Sequence, residues 1–127
     1  MRREASGGFD LAAAAGSDIH PIQSGVVSFS GWKAGYGRVV ILDHGHGYTT
    51  YYAHLSKILP ETKPGVRVPR GQLIGLVGST GRSTAPHLHF EVRQNNKYID
   101  PLDGTHQLDF WLLSSDDQVQ LAKQILA

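Results

Sequence analysis

The sequence contains no cysteine and no apolar run of the length that a membrane span requires. Without cysteine the chain forms no disulfides and no thiolate metal sites, although this assigns no compartment, because many exported proteins also lack cysteine. The net charge of +1 is too small to indicate binding to nucleic acid or to an anionic membrane. These absences leave a globular protein without covalent cross-links, whose function must be sought in its polar side chains.

The chain has 127 residues, of which 40% are hydrophobic, so the sequence predicts one folded domain over residues 1–127. A chain of this length buries roughly two-thirds of its unfolded surface, and a core without disulfides is therefore feasible. Residues 1–8 carry charge but lack a following hydrophobic region, so no signal peptide is predicted in this chain.

Fifteen glycines and six prolines divide the sequence into short pieces rich in Val, Ile, Thr and Tyr. These compositions favour strands. Glycine-rich turns are predicted at 35–37, 44–47 and 78–81, and a turn that introduces a strand at 64–71. The spacing predicts an all-β sandwich or partly closed barrel. The predicted strands are 25–30, 38–43, 48–54, 72–77 and 87–93.

The C-terminal segment differs from the rest. Residues 115–118 have a capping-box pattern, and apolar residues then recur at helical spacing. The sequence therefore predicts a short amphipathic helix over about 115–127, most simply a packing element that covers a sheet edge.

Seven histidines in 127 residues is a high number, and two of them lie in an alternating segment, PHLHFEVR (86–93). On a strand, His87, His89, Glu91 and Arg93 point to one face, while the intervening apolar residues point to the other. Neutral imidazole is a common zinc ligand and a common general base. An H-x-H pair alone is a weak signal, since two partly exposed strand histidines give the same pattern.

Two further residues are candidates for chemistry. His54 ends another predicted strand, where a lone histidine is more often structural than catalytic. Asp10 follows two glycines and precedes the apolar run 11–15, a position where aspartate usually caps or turns but can also supply an oxygen to zinc.

The remaining histidines give weaker signals. His44 and His46 also have H-x-H spacing, but Gly45 and the glycine after His46 predict a hairpin turn, so both are interpreted as turn residues. His20 and His106 have no partner nearby in sequence, and a structural role is expected for both.

Four segments taken together resemble the lysostaphin/LytM-like zinc endopeptidases. They occur in the same order as in that family, and the resemblance covers about residues 8–102. The segments are GYGRVVILDHG (35–45), YTTYYAHL (48–55), VPRGQLIG (68–75) and GSTGRSTAPHLHFEVR (78–93).

The resemblance implies a compact antiparallel β core with a substrate groove and one zinc ion. It implies that Asp10 and His89 are zinc ligands, and that His54 and His87 flank the reacting water as general base and transition-state stabiliser. The substrates of such enzymes are peptide cross-links of bacterial peptidoglycan, which implies an extracytoplasmic location. By loop position, Tyr36, Trp32 and Arg82 are expected to line the groove.

The chain departs from the family pattern at one position. Four residues before Asp10 the family has a third zinc ligand, a histidine, whereas this chain has Ser6. A serine hydroxyl is a poor zinc ligand at neutral pH, and three protein ligands are the norm for catalytic zinc. Zinc is therefore expected to bind weakly or not at all, unless another histidine, such as His20 or His44, replaces the missing ligand.

Three functional hypotheses follow. The first is a zinc endopeptidase of the cell wall, impaired by Ser6 whether that residue is natural or engineered. The second is an inactive relative that binds peptidoglycan stem peptides or activates a partner hydrolase. The third, a carbohydrate- or lipoyl-type β domain without metal, leaves the histidine pattern unexplained.

Overall fold

The computed structural model describes residues 2–4, 7–83, 85–100 and 118–126. Within these residues the chain forms ten β-strands and one α-helix. In chain order they are β1 (Arg2–Arg3), β2 (Phe9–Ala12), β3 (Asp18–Ile19), β4 (Gly25–Lys33), β5 (Gly37–Gly45), β6 (Tyr48–Ile58), β7 (Arg67–Val68), β8 (Gly75–Val77), β9 (His87–Gln94), β10 (Lys97–Ile99) and α1 (Gln118–Ile125).

All of these strands belong to one antiparallel sheet, in which the main order is β1-β2-β9-β6-β5-β4-β7. Strand β10 extends the sheet from β9, while β8 pairs with both β6 and β3. The described strands do not close into a barrel, because β1 and β7 remain the two ends of this order. The predicted all-β antiparallel fold is confirmed, as one open sheet.

Most predicted strands are found with longer bounds. Segments 25–30, 38–43, 48–54 and 87–93 lie inside β4, β5, β6 and β9. Two predictions need correction. Of segment 72–77 only the last three residues form a strand, and the turn predicted at 64–71 contains the short strand β7, which pairs with the start of β4.

The main core lies on one face of the sheet, where alternate residues of neighbouring strands meet, and a smaller cluster of Val39, Ile41, Tyr51 and Ala53 is buried on the other face. Leu88, Phe90 and Val92 of β9 are at most 1% exposed and pack with Phe9 and Leu11 of β2. Because successive strand residues point to opposite faces, the polar residues between them in β9 must lie on the other face. The hydrophobic core therefore fixes which face of the sheet carries the histidines.

The predicted C-terminal helix is confirmed for residues 118–125, whereas residues 115–117, which hold most of the capping-box pattern, lie outside the described residues. Ile125 is fully buried in the main core, and its carbonyl accepts a hydrogen bond from the backbone N–H of His20 at 2.8 Å. The helix thus packs against the sheet as expected. With eight residues it is far too short to span a bilayer, and it is the one helix in the described part of the chain.

The structure corrects the interpretation of His44 as a turn residue. His44 belongs to β5, and only His46 lies in the turn, with a left-handed φ of 53°. The His44 Nδ1 atom is 2.8 Å from the Ser24 carbonyl oxygen, and its Nε2 atom is 2.6 Å from the Thr50 hydroxyl. Since a carbonyl only accepts, Nδ1 carries the proton and Nε2 accepts from Thr50.

The same chain of hydrogen bonds continues through buried Tyr52. Its hydroxyl lies 2.9 Å from that of Thr50 and accepts the backbone N–H of Ile22 at 3.1 Å. The two ends of this hydrogen-bond network, at the Ser24 carbonyl and the Ile22 N–H, therefore hold residues 22–24 against the sheet. His44 is a structural residue whose two ring nitrogens are both engaged.

We predict that His44→Ala lowers the free energy of unfolding at neutral pH by about 1–3 kcal/mol, because Ser24 and Thr50 lose a buried partner. Burial lowers the pKa of His44. The unfolded chain therefore takes up this proton at a higher pH than the folded chain, and the stabilisation is lost as the pH falls below an unfolded-state pKa of about 6.5. Urea unfolding across this pH range measures both effects.

The control is His46→Asn, which changes an exposed neighbour and keeps a residue that tolerates left-handed backbone. It is expected to leave the unfolding free energy nearly unchanged. Equal losses from the two variants, or a His44→Ala loss that does not shrink in acid, would contradict the structural role.

Candidate active site

The polar face of the sheet carries a cavity of about 470 Å³, which we call the groove. Its lining comes from β2, β6, β9 and β10, from the connection between β1 and β2, and from the turns that follow β4 and β8. The lining residues are Glu4, Asp10, Gly35, Tyr36, His54, Arg82, Ser83, His87, His89, Glu91 and Tyr98.

Strand pairing brings Asp10 and His89 together. In the β2–β9 pair Asp10 lies opposite His89, so both side chains leave the sheet on the same face. The Asp10 Oδ1 atom is 3.1 Å from Nδ1 of His89 and 3.5 Å from Nε2 of His87. One carboxylate oxygen therefore faces both imidazoles of the H-x-H segment.

The other side of the His89 ring faces Glu91. The Nε2 atom of His89 is 2.8 Å from Oε1 of Glu91, which is 2% exposed. Burial alone would lower the pKa of His89, but the hydrogen bonds and charges of Glu91 and Asp10 outweigh it and raise that pKa. Burial likewise opposes ionisation of Glu91, yet its contacts with His89, Tyr36 and Arg93 lower the pKa of the carboxyl.

His54 enters the groove from a distorted part of β6. The pairing of β6 with β5 and with β8 shifts register near this residue, and His54 adopts a left-handed φ of 64°. Such strain in a non-glycine residue is uncommon and tends to occur at functional sites. The backbone N–H of His54 donates to the Tyr36 carbonyl at 2.8 Å, and its Nδ1 donates to the Thr80 carbonyl at 2.7 Å.

These contacts define the protonation of the His54 ring. Because Nδ1 donates to a carbonyl, the neutral ring presents the lone pair of Nε2. Burial, together with the neighbouring His87 and His89, lowers the pKa of His54, although the Thr80 carbonyl and Asp10 act in the opposite direction. The ring is therefore neutral at physiological pH and can accept a proton.

His87 is oriented in the same way as His54. Its Nδ1 atom is 2.9 Å from the Ala85 carbonyl and 3.2 Å from the Ser83 hydroxyl, so the proton lies on Nδ1 and Nε2 faces Asp10. The His54 and His87 ring centroids are 4.9 Å apart. Two imidazoles thus present unprotonated nitrogens beside the Asp10–His89 pair.

The loop that holds His54 depends on a close approach of two backbones. A Cβ atom added at Gly81 would collide with the backbone nitrogen of Gly37, and one added at Gly37 would collide with the backbone of Thr80 and Gly81. The Thr80 hydroxyl donates to the Leu55 carbonyl at 2.6 Å, on the residue after His54. These contacts set the position of the carbonyl that orients the His54 ring.

The structure brings together Asp10, His54, His87 and His89, along with Tyr36 and Arg82 in the lining. Trp32, which was expected in the groove, is not among the lining residues and is 62% exposed near the end of β4. Ser6 and His106 lie outside the described residues.

Neither histidine that could have replaced the missing ligand lies in the groove lining. His44 uses both ring nitrogens in the network described above. His20 lines a separate pocket of about 320 Å³ with Arg70 and Lys123, and its Nδ1 atom is 3.3 Å from the Ile125 carbonyl. The expectation that one of them completes the metal site is therefore not met.

Other residues in and around the groove were not foreseen in these roles. For Glu91 and Arg93 the sequence did carry a signal, because strict alternation in residues 86–93 predicted them on the same strand face as the two histidines. Thr80 and Tyr98 had none, since their contacts with this region depend on loop conformation and on the β9–β10 hairpin.

The donor set fits part of a zinc site. Asp10 and His89 supply a carboxylate oxygen and an imidazole nitrogen 3.1 Å apart, both chemically suited to zinc. Within residues 2–4, 7–83, 85–100 and 118–126, no group of three His, Cys, Asp or Glu side chains is arranged to hold a metal ion. The described residues thus provide two of the ligands that the resemblance implies.

The sequence matches Peptidase family M23 over residues 4–101. The chain belongs to this family. The M23 chain is 46% identical over 85 residues to the peptidoglycan DD-endopeptidase ShyA of Vibrio cholerae, a match that covers 67% of this chain and 19% of ShyA. The chain spans about a fifth of the length of the curated relatives that it matches.

Solved structures agree with this membership. The catalytic domain of the antimicrobial peptidase lysostaphin from Staphylococcus simulans matches with a TM-score of 0.69 and 36% identity, over 84% of this chain and 78% of that one. A zinc containing peptidase from Vibrio cholerae matches with a TM-score of 0.68 and 41% identity, over 73% of this chain and 28% of that one. The resemblance to the lysostaphin-like family is confirmed.

We predict that Gly81→Ala destabilises the M23 chain more than Gly71→Ala does. Both glycines have positive φ, 76° and 88°, so each alanine adopts a strained backbone at a cost of about 1–2 kcal/mol. Only Gly81 meets another backbone, which adds about 1–3 kcal/mol for overpacking, whereas a Cβ at Gly71 has nothing within 4 Å. Equal unfolding free energies for the two variants, measured in urea, would contradict the close approach.

Proposed function

We propose that this M23 domain, extending over residues 1–127, hydrolyses peptide cross-links of bacterial peptidoglycan. The observation that carries the proposal is the Asp10–His89 pair beside two histidines whose Nε2 lone pairs face the same groove. The relative ShyA, named as a peptidoglycan DD-endopeptidase, supports this substrate class. Action on peptidoglycan implies an extracytoplasmic location.

Zinc is the metal that this donor set suits, and the related zinc containing peptidase supports its assignment. Asp10 and His89 would hold it. When bound, zinc polarises a carbonyl and lowers the pKa of a water molecule at the site. The remaining chemistry comes from the side chains of the groove.

His54 and His87 are proposed to act as general base and transition-state stabiliser. Both rings are held by Nδ1 and present Nε2, so a neutral ring accepts a proton from water and a protonated ring donates to a developing oxyanion. Tyr36 and Arg82 line the groove and are proposed to contact the substrate.

The third metal ligand is the open part of this proposal. Ser6 occupies the position where the family has histidine, and a hydroxyl binds zinc poorly at neutral pH. Glu4 is a described carboxylate that lines the groove with Asp10, and its backbone N–H donates to the carbonyl of Gly8, the residue before β2, at 3.0 Å. We propose that zinc binds weakly to this chain and that activity therefore depends on the zinc concentration.

Ser6 also favours a second candidate function, a module that binds stem peptides without cleaving them. The groove would then retain its shape while lacking a stable metal site. An activator of a partner hydrolase is a narrower form of this idea, but the names of the relatives give no support for such a partner.

Cleavage of purified cross-linked muropeptides, with bound zinc measured by plasma mass spectrometry, tests the proposal. The proteins to compare are the unmodified chain, Ser6→His, Asp10→Ala and Glu4→Gln. We expect weak cleavage by the unmodified chain in excess zinc, and stoichiometric zinc with faster cleavage for Ser6→His. Asp10→Ala is expected to lose both bound zinc and cleavage, because it removes a charged ligand.

Glu4→Gln reports on the third ligand, since loss of zinc in this variant would assign that role to Glu4. Absence of cleavage by Ser6→His that carries stoichiometric zinc would overturn the hydrolase proposal. Binding of the same muropeptides by that protein would then support the binding module.

We further predict that His54→Ala and His87→Ala each lower kcat by about 10²–10⁴-fold, the usual contribution of a positioned acid–base group. Neither ring is a proposed zinc ligand, so zinc content should stay within error of the parent protein. A kcat change of less than threefold in steady-state assays of either variant would remove that histidine from the mechanism.

A further inference from the structure

Glu91 is a buried carboxylate on the groove face of β9, only 2% exposed. Burial of an ionised carboxylate is costly unless hydrogen bonds and opposite charge compensate. Glu91 therefore needs partners that compensate its charge, and these partners also fix its geometry. Its partners therefore indicate what Glu91 does.

The two oxygens of Glu91 have separate partners. Oε1 faces the His89 Nε2 atom at 2.8 Å and accepts the Tyr36 hydroxyl at 2.9 Å. Oε2 accepts from Nε and Nη2 of Arg93, at 3.2 and 3.1 Å. Rotation of the carboxylate would break bonds on both sides, so the oxygen that meets His89 is fixed.

Arg93 is itself held on several sides. Its guanidinium carbon lies 4.3 Å from the ring centre of Tyr51 and 4.6 Å from that of Tyr98. Its nitrogens also donate to the hydroxyls of Tyr36 and Tyr98 and to the side-chain oxygen of Asn96, at 3.0–3.1 Å. A planar cation held between two aromatic rings is a rigid support for the carboxylate.

This arrangement gives His89 the opposite orientation to its neighbours. His54 and His87 donate through Nδ1 to backbone carbonyls, whereas His89 donates through Nε2 to Glu91. The other ring nitrogen of His89, Nδ1, lies 3.1 Å from Asp10 Oδ1, so a metal held by Asp10 would take the place of a proton on Nδ1 while Glu91 retains the proton on Nε2. Outer carboxylates that hold a ligating histidine in this way fix its tautomer.

We propose that Glu91, held by Arg93 and Tyr36, is the positioning residue that makes Nδ1 of His89 the metal-binding atom. The inference rests on the proposed role of Asp10 and His89 as ligands, and it adds the residue that selects the ligating nitrogen. Glu91 acts through His89 and does not itself contact the substrate.

The test is the tautomer of His89 in metal-free protein, read from the ring nitrogen shifts in ¹⁵N NMR at a pH where the ring is neutral. The unmodified chain is expected to carry the proton on Nε2. In Glu91→Leu, Asp10 becomes the carboxylate beside the ring, so the proton is expected to move to Nδ1. A merely structural role for Glu91 would leave the tautomer unchanged.

A second measurement is zinc affinity by competition with a chromophoric chelator. Glu91→Gln keeps the side-chain shape and is expected to weaken zinc binding by about 10–100-fold, the usual effect of losing an outer-shell partner. The matched control, Glu61→Gln, changes an exposed carboxylate and should leave the affinity unchanged.

A proton on Nδ1 of His89 in the unmodified chain would overturn the inference, as would equal zinc affinity for Glu91→Gln and its parent. The first result is measured on the unmodified chain, so the inference can be tested even if Glu91→Leu does not fold. Failure of the proposed function has a different signature, the absence of zinc binding and of cleavage in every protein.

Discussion

Each imidazole in the groove has one ring nitrogen held by a hydrogen-bond acceptor of the protein, and the proposed chemistry of the site depends on this constraint. His54 and His87 donate through Nδ1 to backbone carbonyls, while His89 donates through Nε2 to a buried carboxylate. For His54 and His87 the carbonyl partner leaves the lone pair on Nε2, whereas His89 has a carboxylate beside each nitrogen, Glu91 at Nε2 and Asp10 at Nδ1. Without these partners the rings could rotate or exchange tautomers, and a metal and a reacting water would meet nitrogens that are already protonated.

The sheet supplies these partners from elements that are distant in sequence. The β2–β9 register places Asp10 opposite His89, and the apolar residues that alternate with the histidines anchor β9 in the core. The His54 side chain needs a left-handed backbone and a carbonyl from the loop after β8, which lies close to Gly37. Local strain at His54 is thus maintained by the packing of two loops.

The sequence predicted the parts of the molecule that depend on local pattern. Alternation in PHLHFEVR assigned both histidines to one face, and the resemblance named Asp10, His54, His87 and His89, which the structure brings into one groove. It misjudged His44, because a residue between turn signals can still end a strand and be enclosed by residues far along the chain. The contacts of Thr80 with His54 and of Tyr98 with Arg93 join separate loops and strands, and no local signal reports such pairs.

An M23 domain with serine in place of one expected ligand can retain an organised groove, because the remaining groups are held by the sheet and by each other. We propose that Asp10 and Nδ1 of His89 form the metal-binding pair. Anomalous diffraction at the zinc edge, from crystals of the unmodified chain soaked with zinc, tests this pairing. We expect a peak that contacts both Asp10 Oδ1 and His89 Nδ1. A peak bound instead by Nε2 of His54 and His87, or no peak in the groove, would contradict it.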